Sequence, residues 1–348
     1  MINDKTNICV IIPAYNEELL IGRTIRSVLN AGLAAMHIYV VDDGSQDLTY
    51  WKAVETRAHV HIRSNAGKSQ AVKSGIEHFK LCQRYNWIAI LDADSQLDPL
   101  YFTEMRFTIE DHPDAILLSA YQQATKGPYN CFTAYRAVEY TIFGGITRES
   151  QYLTSTINVV PGPGSLYKSS ILATLDFNGG TLVEDMDWTT ELHRRGLGKH
   201  IHYVPNAIVT TQDPTKLRDF IGQLTRWYRG TWQVIKKHRI GRHWQRVDAE
   251  WLLLLGEQMG LGTVFILGLP LWLYLWPRVE LYWIALDQIL LLCFTLLTAI
   301  RQRRADVLVM FPTFWFIRIL GYLLFMRAFL LERRHSETTW FSVERREA

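Results

Sequence analysis

Two regimes of apolar and polar positions divide the chain, and the change falls near Trp251. Before it, short apolar runs alternate with amphipathic stretches. Ile8 to Ile12, Ile38 to Val41 and Trp87 to Leu91 read as buried strands. Between them, Leu20, Ile21, Ile25, Val28 and Leu29 recur at helical spacing with Gly32 as a stop signal, and Ser69 to Phe79 reads as another helix. A further helix is expected around Pro99 to Glu110. This alternation predicts an α/β domain built on an open sheet. Polar residues gather just after the strand ends, in Pro13-Ala14-Tyr15-Asn16-Glu17-Glu18, Asp42-Asp43-Gly44-Ser45 and Asp92-Ala93-Asp94. Open α/β sheets bind ligands in the crevice at their strand ends, so Glu17, Asp43, Asp92 and Asp94 are expected to share one pocket.

From Trp251 onward long apolar runs dominate. Met259 to Trp276 and Leu281 to Ile300 are each close to the roughly 20 apolar residues of a membrane-spanning helix, with Pro277 to Glu280 as the link between them. Arg301-Gln302-Arg303-Arg304 follows, and the positive-inside rule places that cluster, and the N-terminal domain with it, in the cytosol. A third apolar stretch, Val307 to Leu331, contains Pro312, Arg318 and Arg327 and reads as a span, a broken helix or an interfacial one. Arg318 there is costly unless it faces protein, water or a phosphate, which marks it as a candidate contact for lipid or polymer.

Ahead of these runs, Leu217, Phe220, Ile221, Leu224, Tyr228, Thr231 and Ile235 recur at helical spacing. On that helix Gln223, Arg226 and Trp227 lie three or four residues apart and form one cluster. An indole stacks on the apolar face of a pyranose, and a guanidinium offers a fork of donors to a phosphate. Arg218, Arg226, Arg229, Lys236, Lys237 and Arg239 give the segment a basic character suited to the anionic inner surface of a bilayer.

Composition narrows the picture in two ways. A formal charge of +3 over 348 residues gives no argument for nucleic acid as a partner. Cys9, Cys82, Cys131 and Cys293 lie far apart with no metal-ligand spacing, so they are expected to be reduced core residues. Met1 to Asn7 is polar and has no apolar core of the signal-peptide kind.

The chemistry concentrates at the polar turns. Two carboxylates one residue apart, Asp92 and Asp94, suit a hard divalent cation, which takes one or two carboxylates and completes its shell with substrate phosphates. The plainer alternative is that Asp94 and Ser95 cap the next helix. Lys68, in Asn65-Ala66-Gly67-Lys68, opposes the dipole of the helix it opens, unless a phosphate sits between them. Val159-Val160-Pro161-Gly162-Pro163-Gly164-Ser165-Leu166-Tyr167 reads as a rigid loop where backbone passes close to something, or as a plain turn. Glu184, Asp185 and Asp187 complement a helix N-terminus in any case.

In order, Ile12-Pro13-Ala14-Tyr15-Asn16-Glu17-Glu18, Asp42-Asp43-Gly44-Ser45-Gln46-Asp47, Asn65-Ala66-Gly67-Lys68 and Asp92-Ala93-Asp94 resemble the family 2 glycosyltransferases, which move sugars from nucleotide donors on a Rossmann-like GT-A fold. The resemblance implies that Asp43 holds the uracil or ribose of a UDP-sugar, with Ala14, Tyr15, Glu17, Lys68 and Asp92 around the donor and Asp94 on Mg2+ or Mn2+. In membrane polysaccharide synthases a similar Gly-Pro stretch lines the acceptor end of the pocket. Inverting transfer needs a base for the acceptor hydroxyl, and Asp185 is the candidate, beside the acceptor-binding Glu184. Where the family has Thr-Glu-Asp this chain has Val183-Glu184-Asp185. Gln223-Leu224-Thr225-Arg226-Trp227 is similar to the Gln-x-x-Arg-Trp acceptor signature of processive synthases and some glycolipid-forming relatives. Trp340-Phe341-Ser342-Val343-Glu344-Arg345 bears a faint likeness to a segment that closes over the nucleotide in some synthases.

The expected organisation is a cytosolic GT-A domain over 1–214, an interfacial helix region over 215–250, a transmembrane region over 251–331 and a tail over 332–348. The expected activity is transfer of glucose or N-acetylglucosamine to a β-linked polysaccharide, in a membrane-bound enzyme that oligomerises if it secretes polymer, since two or three helices scarcely enclose a channel. Two alternatives stay open. One is a glycolipid synthase acting on a diacylglycerol, ceramide or polyprenyl phosphate. The other is a silent nucleotide-binding scaffold in the membrane.

Overall fold

The computed structural model describes residues 7–125, 127–178, 180–261, 274 and 277–334. They fall into two compact units. The first runs to Thr125 and resumes over Thr147–Gln212; the second takes the intervening segment and the chain from Asp213 onward. The segment between them, expected from sequence inside the first domain, therefore groups with the C-terminal unit.

The first unit is built on one eight-stranded sheet. Its strands are β1 (Ile8–Ala14), β2 (Ile38–Asp42), β3 (His59–Ile62), β4 (Trp87–Ile90), β5 (Ser95–Leu97), β6 (Leu117–Ala124), β7 (Ser165–Lys168) and β8 (Ile201–Thr211), in the order β3-β2-β1-β4-β7-β6-β8-β5. β1 pairs in parallel with β2 and β4, β2 with β3, and β6 with β8. β7 is antiparallel to both β4 and β6, and β5 to β8. The chain thus steps outward from β1 to β3 and returns to β4 on the other side of β1. That reversal opens a crevice at the carboxyl ends of β1 and β4, where open sheets bind ligands.

β1 is buried along its whole length. Its period-two alternation sends Ile8, Val10 and Ile12 into one core layer with α1 (Ile21–Asn30) and α5 (Tyr101–Asp111), and Cys9 and Ile11 into the opposite layer with α3 (Lys68–His78) and α9 (Glu184–Arg194). Truncating one of these isoleucines to alanine costs about 2–5 kcal/mol. Gly75 lets α3 close onto the sheet: a Cβ there would lie 2.5 Å from Val41 Cγ2 and 2.7 Å from Ile11 Cδ1. The close packing fixes where the first residue of α3, Lys68, emerges. Shorter helices are α2 (Thr49–Val54), α4 (Leu81–Arg84), α7 (Arg148–Leu153) and α8 (Ser169–Leu172).

The second unit is helical among its described residues: α6 (Cys131–Glu139), α10 (Leu217–Lys237), α11 (Arg246–Leu255), α12 (Pro277–Gln302) and α13 (Asp306–Arg333). Asn130 caps α6 by accepting from the Phe132 and Thr133 N–H groups, with Thr133 closing the box. Pro277 to Glu280, expected as a link, instead begins α12, where a proline at the first helical position has no N–H to lose. Met259 to Trp276 lies largely outside the described residues, as does the tail from 335 onward. α12 and α13 are both long and apolar enough to cross a bilayer. The third apolar stretch is one continuous helix that tolerates Pro312 near its start.

Several charged residues of this unit have internal partners rather than a surface role. Arg318 forms a two-pronged ion pair with Asp287, at 2.7 and 3.0 Å, so protein answers its charge. Arg229, counted by sequence among the basic surface residues, is buried and pairs with Glu332 at 2.5 Å, and Arg239 lies beyond the end of α10. Arg304 is buried too, bonded to Asp306 and the Thr133 carbonyl, while Arg301 and Arg303 remain exposed. The cysteines depart from expectation as well. All four are free, but Cys9 alone is fully buried and Cys293 is exposed.

Candidate active site

The three polar turns meet at the crevice. Ala14 ends β1 and pairs with Asp42, the last residue of β2; Asp43 N–H donates to the Ala14 carbonyl at 2.9 Å. Asp92 and Asp94 follow β4 directly. Asp94 and Ser95 do not cap the next helix. Ser95 starts β5, α5 begins at Tyr101, and Ser95 Oγ donates to Asp94 Oδ1 at 3.2 Å.

Glu17 sits in a turn stitched to the loop after β2. Its N–H donates to Thr49 Oγ1 at 2.7 Å, the Asn16 N–H donates to Ser45 Oγ, and the Gln46 N–H donates to Asn16 Oδ1. Glu17 is buried, whereas the Tyr15 ring is 39% exposed. Asp43 is nearly buried and organises the approach to α3. It accepts from the Ala66 and Gly67 N–H groups and from Arg63 Nε, the last at 3.1 Å. Burial raises its pKa, and those donors only partly offset the rise. Arg63 was missed by sequence reasoning, because the short strand it follows, β3, was not among the strands read from the sequence.

Lys68 is the hub. Its ammonium lies 2.7 Å from Asp92 Oδ1 and 2.8 Å from Glu184 Oε1, with the three side chains 21%, 28% and 14% exposed. Burial works against the charged amine, but Asp92, Glu184 and Asp185 outweigh it and hold the Lys68 pKa above its usual value. Two carboxylates therefore answer the cation at the α3 N-terminus. Asp185 belongs to the same group: its Oδ2 accepts from the Gly162 N–H at 3.0 Å and its Oδ1 from the Met186 N–H at 2.8 Å. Burial, then Glu184, raise its pKa, against the pull of Lys68. Asp92 is raised by burial too, relieved by Lys68 and reinforced by Asp94.

The Gly-Pro loop passes as close as its sequence implied. A Cβ on Gly162 would lie 2.7 Å from Lys68 Nζ, 3.8 Å from Asp185 Oδ2 and 3.9 Å from Glu184 Oε1. Glu184, Asp185 and Asp187 also occupy the first turn of α9, so the helix-dipole explanation holds alongside any chemical one. Lys68, Asp92, Glu184 and Asp185 thus form one acidic cluster around a lysine, with Asp94 beside Asp92, while Asp43 holds the backbone just ahead of Lys68. Asp94 pushes the Asp92 pKa up while Lys68 pulls it down, and two neighbouring carboxylates are a donor set that fits a hard cation.

In the second unit, Gln223 and Trp227 meet on a residue that the sequence did not single out. Arg136, 2% exposed, donates to Gln223 Oε1 at 2.9 Å and lays its guanidinium over the Trp227 ring at 4.5 Å and the Phe220 ring at 4.9 Å. Its other prong pairs with Glu139 at 2.5 Å. One face of the Trp227 indole is therefore taken by Arg136. Arg226 is half-buried on the same helix.

Residues 9–176 match the family model described as Glycosyl transferase family 2. The poly-beta-1,6-N-acetyl-D-glucosamine synthases of Staphylococcus aureus (strain COL) and Staphylococcus epidermidis are each 26% identical to the chain, over 243 and 239 residues. These matches cover 67% and 66% of the chain but only 57% and 55% of the relatives, so the chain spans little more than half of their length. Among solved structures, the mannosyltransferase PcManGT from Pyrobaculum calidifontis, in complex with GDP-Man and Mn2+, superposes with a TM-score of 0.65 at 15% identity, covering 95% of this chain and 88% of that one. With the strand order and the acidic turns already in view, residues 9–176 are similar to glycosyl transferase family 2, and the chain has the GT-A fold of a solved glycosyltransferase.

Proposed function

We propose that this protein is a membrane-bound inverting glycosyltransferase. It takes glucose or N-acetylglucosamine from a UDP-sugar and adds it to a growing β-linked polysaccharide on the cytosolic side. The observation that carries the proposal is the Lys68 hub, where an ammonium, two carboxylates and the candidate base Asp185 share one hollow at the sheet's switch point. The identity to the staphylococcal synthases supports the choice of sugar and acceptor.

In this mechanism Asp43, with Ala14, Tyr15 and Glu17 nearby, holds the nucleoside end of the donor. Lys68 and Asp92 face the diphosphate and sugar. Asp94 would hold Mg2+ or Mn2+, and that cation would supply positive charge to offset the departing nucleoside diphosphate. Asp185 takes the proton of the acceptor hydroxyl while that oxygen attacks the anomeric carbon and the sugar–phosphate bond breaks. Its raised pKa makes it a better proton acceptor than an ordinary aspartate. One of its oxygens must lie toward the acceptor, and its backbone bonds to Gly162 and Met186 leave further lone pairs for that. Glu184, Gln223, Arg226 and Trp227 serve the acceptor. The two long apolar helices supply the anchor in the membrane lipids.

Transfer of one or a few sugars to a lipid is favoured instead by the helix count: among the described residues two helices are fit to span, too few to enclose a polymer path in one chain. A polymer-secreting form would have to oligomerise. The test is to supply detergent-purified protein with UDP-glucose, UDP-N-acetylglucosamine, UDP-galactose, UDP-glucuronate and GDP-mannose in turn, then size the products by mass spectrometry. Long β-linked chains from a UDP-sugar are expected. Only short, chloroform-soluble material selects the lipid acceptor, use of GDP-mannose alone rejects the UDP assignment, and binding of UDP without turnover leaves a silent scaffold.

A further inference from the structure

A second group of chemistry-bearing side chains lies at the other end of the sheet. His112 follows α5 just ahead of β6, and His200 and His202 stand at the start of β8. β6 is antiparallel to β7, which is antiparallel to β4, so β6 and β8 run the same way as β1 and β4. The amino ends of β6 and β8 therefore sit on the edge opposite the Asp43, Asp92 and Asp94 turns.

There one ring nitrogen each of His112 and His202 and a carboxylate oxygen of Asp114 lie within 4.8 Å of one another. The two imidazoles face each other with centroids 4.3 Å apart and planes 30° from parallel. His202 is 6% exposed, and its Nε2 is buried with no hydrogen-bond partner. A buried polar atom left without a partner costs roughly 1–3 kcal/mol, so the arrangement calls for something to meet it. The other nitrogen, Nδ1, is 3.1 Å from the Tyr152 hydroxyl of α7. If Nδ1–H donates to that oxygen, Nε2 carries a lone pair, the state in which a histidine binds metal. Asp114 has its own outer partner: His200 Nδ1 is 2.9 Å from Asp114 Oδ2.

We propose that His112, Asp114 and His202 bind a single borderline-soft divalent cation of the Zn2+ class. Tyr152 and His200 orient the ligands from outside. Two imidazoles and one carboxylate, with water completing a tetrahedron, suit zinc, whereas the all-oxygen Asp92 and Asp94 turn suits Mg2+ or Mn2+. The two sites differ in ligand chemistry and in location. A cation here staples the turn between α5 and β6 to the start of β8, and so contributes to the stability of the first unit rather than to sugar transfer.

The test uses untagged full-length protein in detergent, stripped with chelator and dialysed, with excess Mg2+ present to occupy the carboxylate turn. Titration with Co2+ alone should give one equivalent of visible d–d absorption that Zn2+ displaces and Mg2+ does not. Zn2+ should also raise the thermal midpoint. His112→Ala and Asp114→Asn, both on the accessible side, should lose the band and the rise. Tyr152→Phe should weaken Zn2+ binding about tenfold, as loss of an outer-shell partner does. An absent Co2+ band in the wild type, or one that persists unchanged in His112→Ala, would overturn the assignment and leave the cluster as an aromatic stack.

Discussion

Two glycines in the Gly-Pro loop, two residues apart, should fail in different ways when changed to alanine. At Gly162 the new methyl would lie 2.7 Å from Lys68 Nζ, the far end of a flexible side chain. Restoring an ordinary contact of roughly 3.5 Å moves the ammonium by about 0.8 Å. That shift breaks one of its bonds to Asp92 and Glu184, now 2.7 and 2.8 Å. A charge-assisted bond is worth about 1.5–3 kcal/mol, and solvent at these part-exposed groups cuts that to roughly half. The loss of about 0.8–1.5 kcal/mol corresponds to roughly four- to tenfold in kcat/KM for the donor, with little change in unfolding temperature. At Gly164, φ is +71° and the methyl would lie 2.4 Å from Val209 Cγ2, a wholly buried core atom with no room to retreat. Left-handed backbone costs about 1–2 kcal/mol and overpacking about 1–3, so Gly164→Ala should lower stability by about 2–5 kcal/mol. Steady-state kinetics with a saturating acceptor and thermal unfolding in detergent separate the two. Gly162→Ala with wild-type donor kinetics would refute the role given to the Lys68 hub.

Further consequences concern the second unit. Arg136→Ala removes the partner of Glu139 and the support of Gln223 and Trp227, and should cost about 3–5 kcal/mol in thermal or denaturant unfolding. The milder Arg136→Lys should raise the acceptor KM and spare the donor KM, and equal change in both would count against an acceptor role for the Gln-x-x-Arg-Trp cluster. Burial pushes the Asp213 pKa up to about 7, from 3.8, although Arg136 and the Tyr140 hydroxyl pull it down. The folded state then binds the extra proton between those values, so this contribution is full below about pH 4 and is lost as pH rises through 7, by at most about 4 kcal/mol. Unfolding followed from pH 5 to pH 8 should show that fall, and Asp213→Asn should flatten it; parallel curves would exclude Asp213 as the source. Asp287→Asn strands the Arg318 guanidinium on an apolar helix and should destabilise by about 3 kcal/mol or more, while Asp287→Leu with Arg318→Met should recover most of the loss. Equal stability of Asp287→Asn and wild type would show that the pair carries no weight.

The sheet and the polar turns at its edge were legible in the sequence for the same reason: a strand buried on both faces must be a continuous apolar run, and its polar ends must turn. That reasoning located Asp43, Asp92 and Asp94 without any three-dimensional input. Lys68 was legible as an electrostatic anomaly, though its answer proved to be Asp92 and Glu184, the latter 116 positions further along the chain. Arg136 was not legible, because a buried arginine owes its place to partners from distant segments and leaves no periodic trace; Arg63 was not, because the short strand it follows was not read from the sequence. Pro277 to Glu280 misled because proline marks both a turn and a helix start. Arg229 and Arg304 misled because charge along a sequence does not tell a solvated cation from one paired inside. The histidines at 112, 200 and 202 carry no motif spacing; the parallel pairing of β6 and β8 brings them together.

The measurement that bears most directly on the central claim is calorimetric titration of UDP-sugar into wild type, Asp94→Asn and Asp185→Asn, with and without Mn2+, paired with turnover of the same samples. Wild type should bind and turn over only with the cation, Asp94→Asn should lose most of the cation-dependent binding, and Asp185→Asn should bind normally while turning over about 100-fold or more slowly. Turnover surviving in Asp185→Asn, or binding in Asp94→Asn that matches wild type, would contradict a single cation-dependent hollow for donor and base.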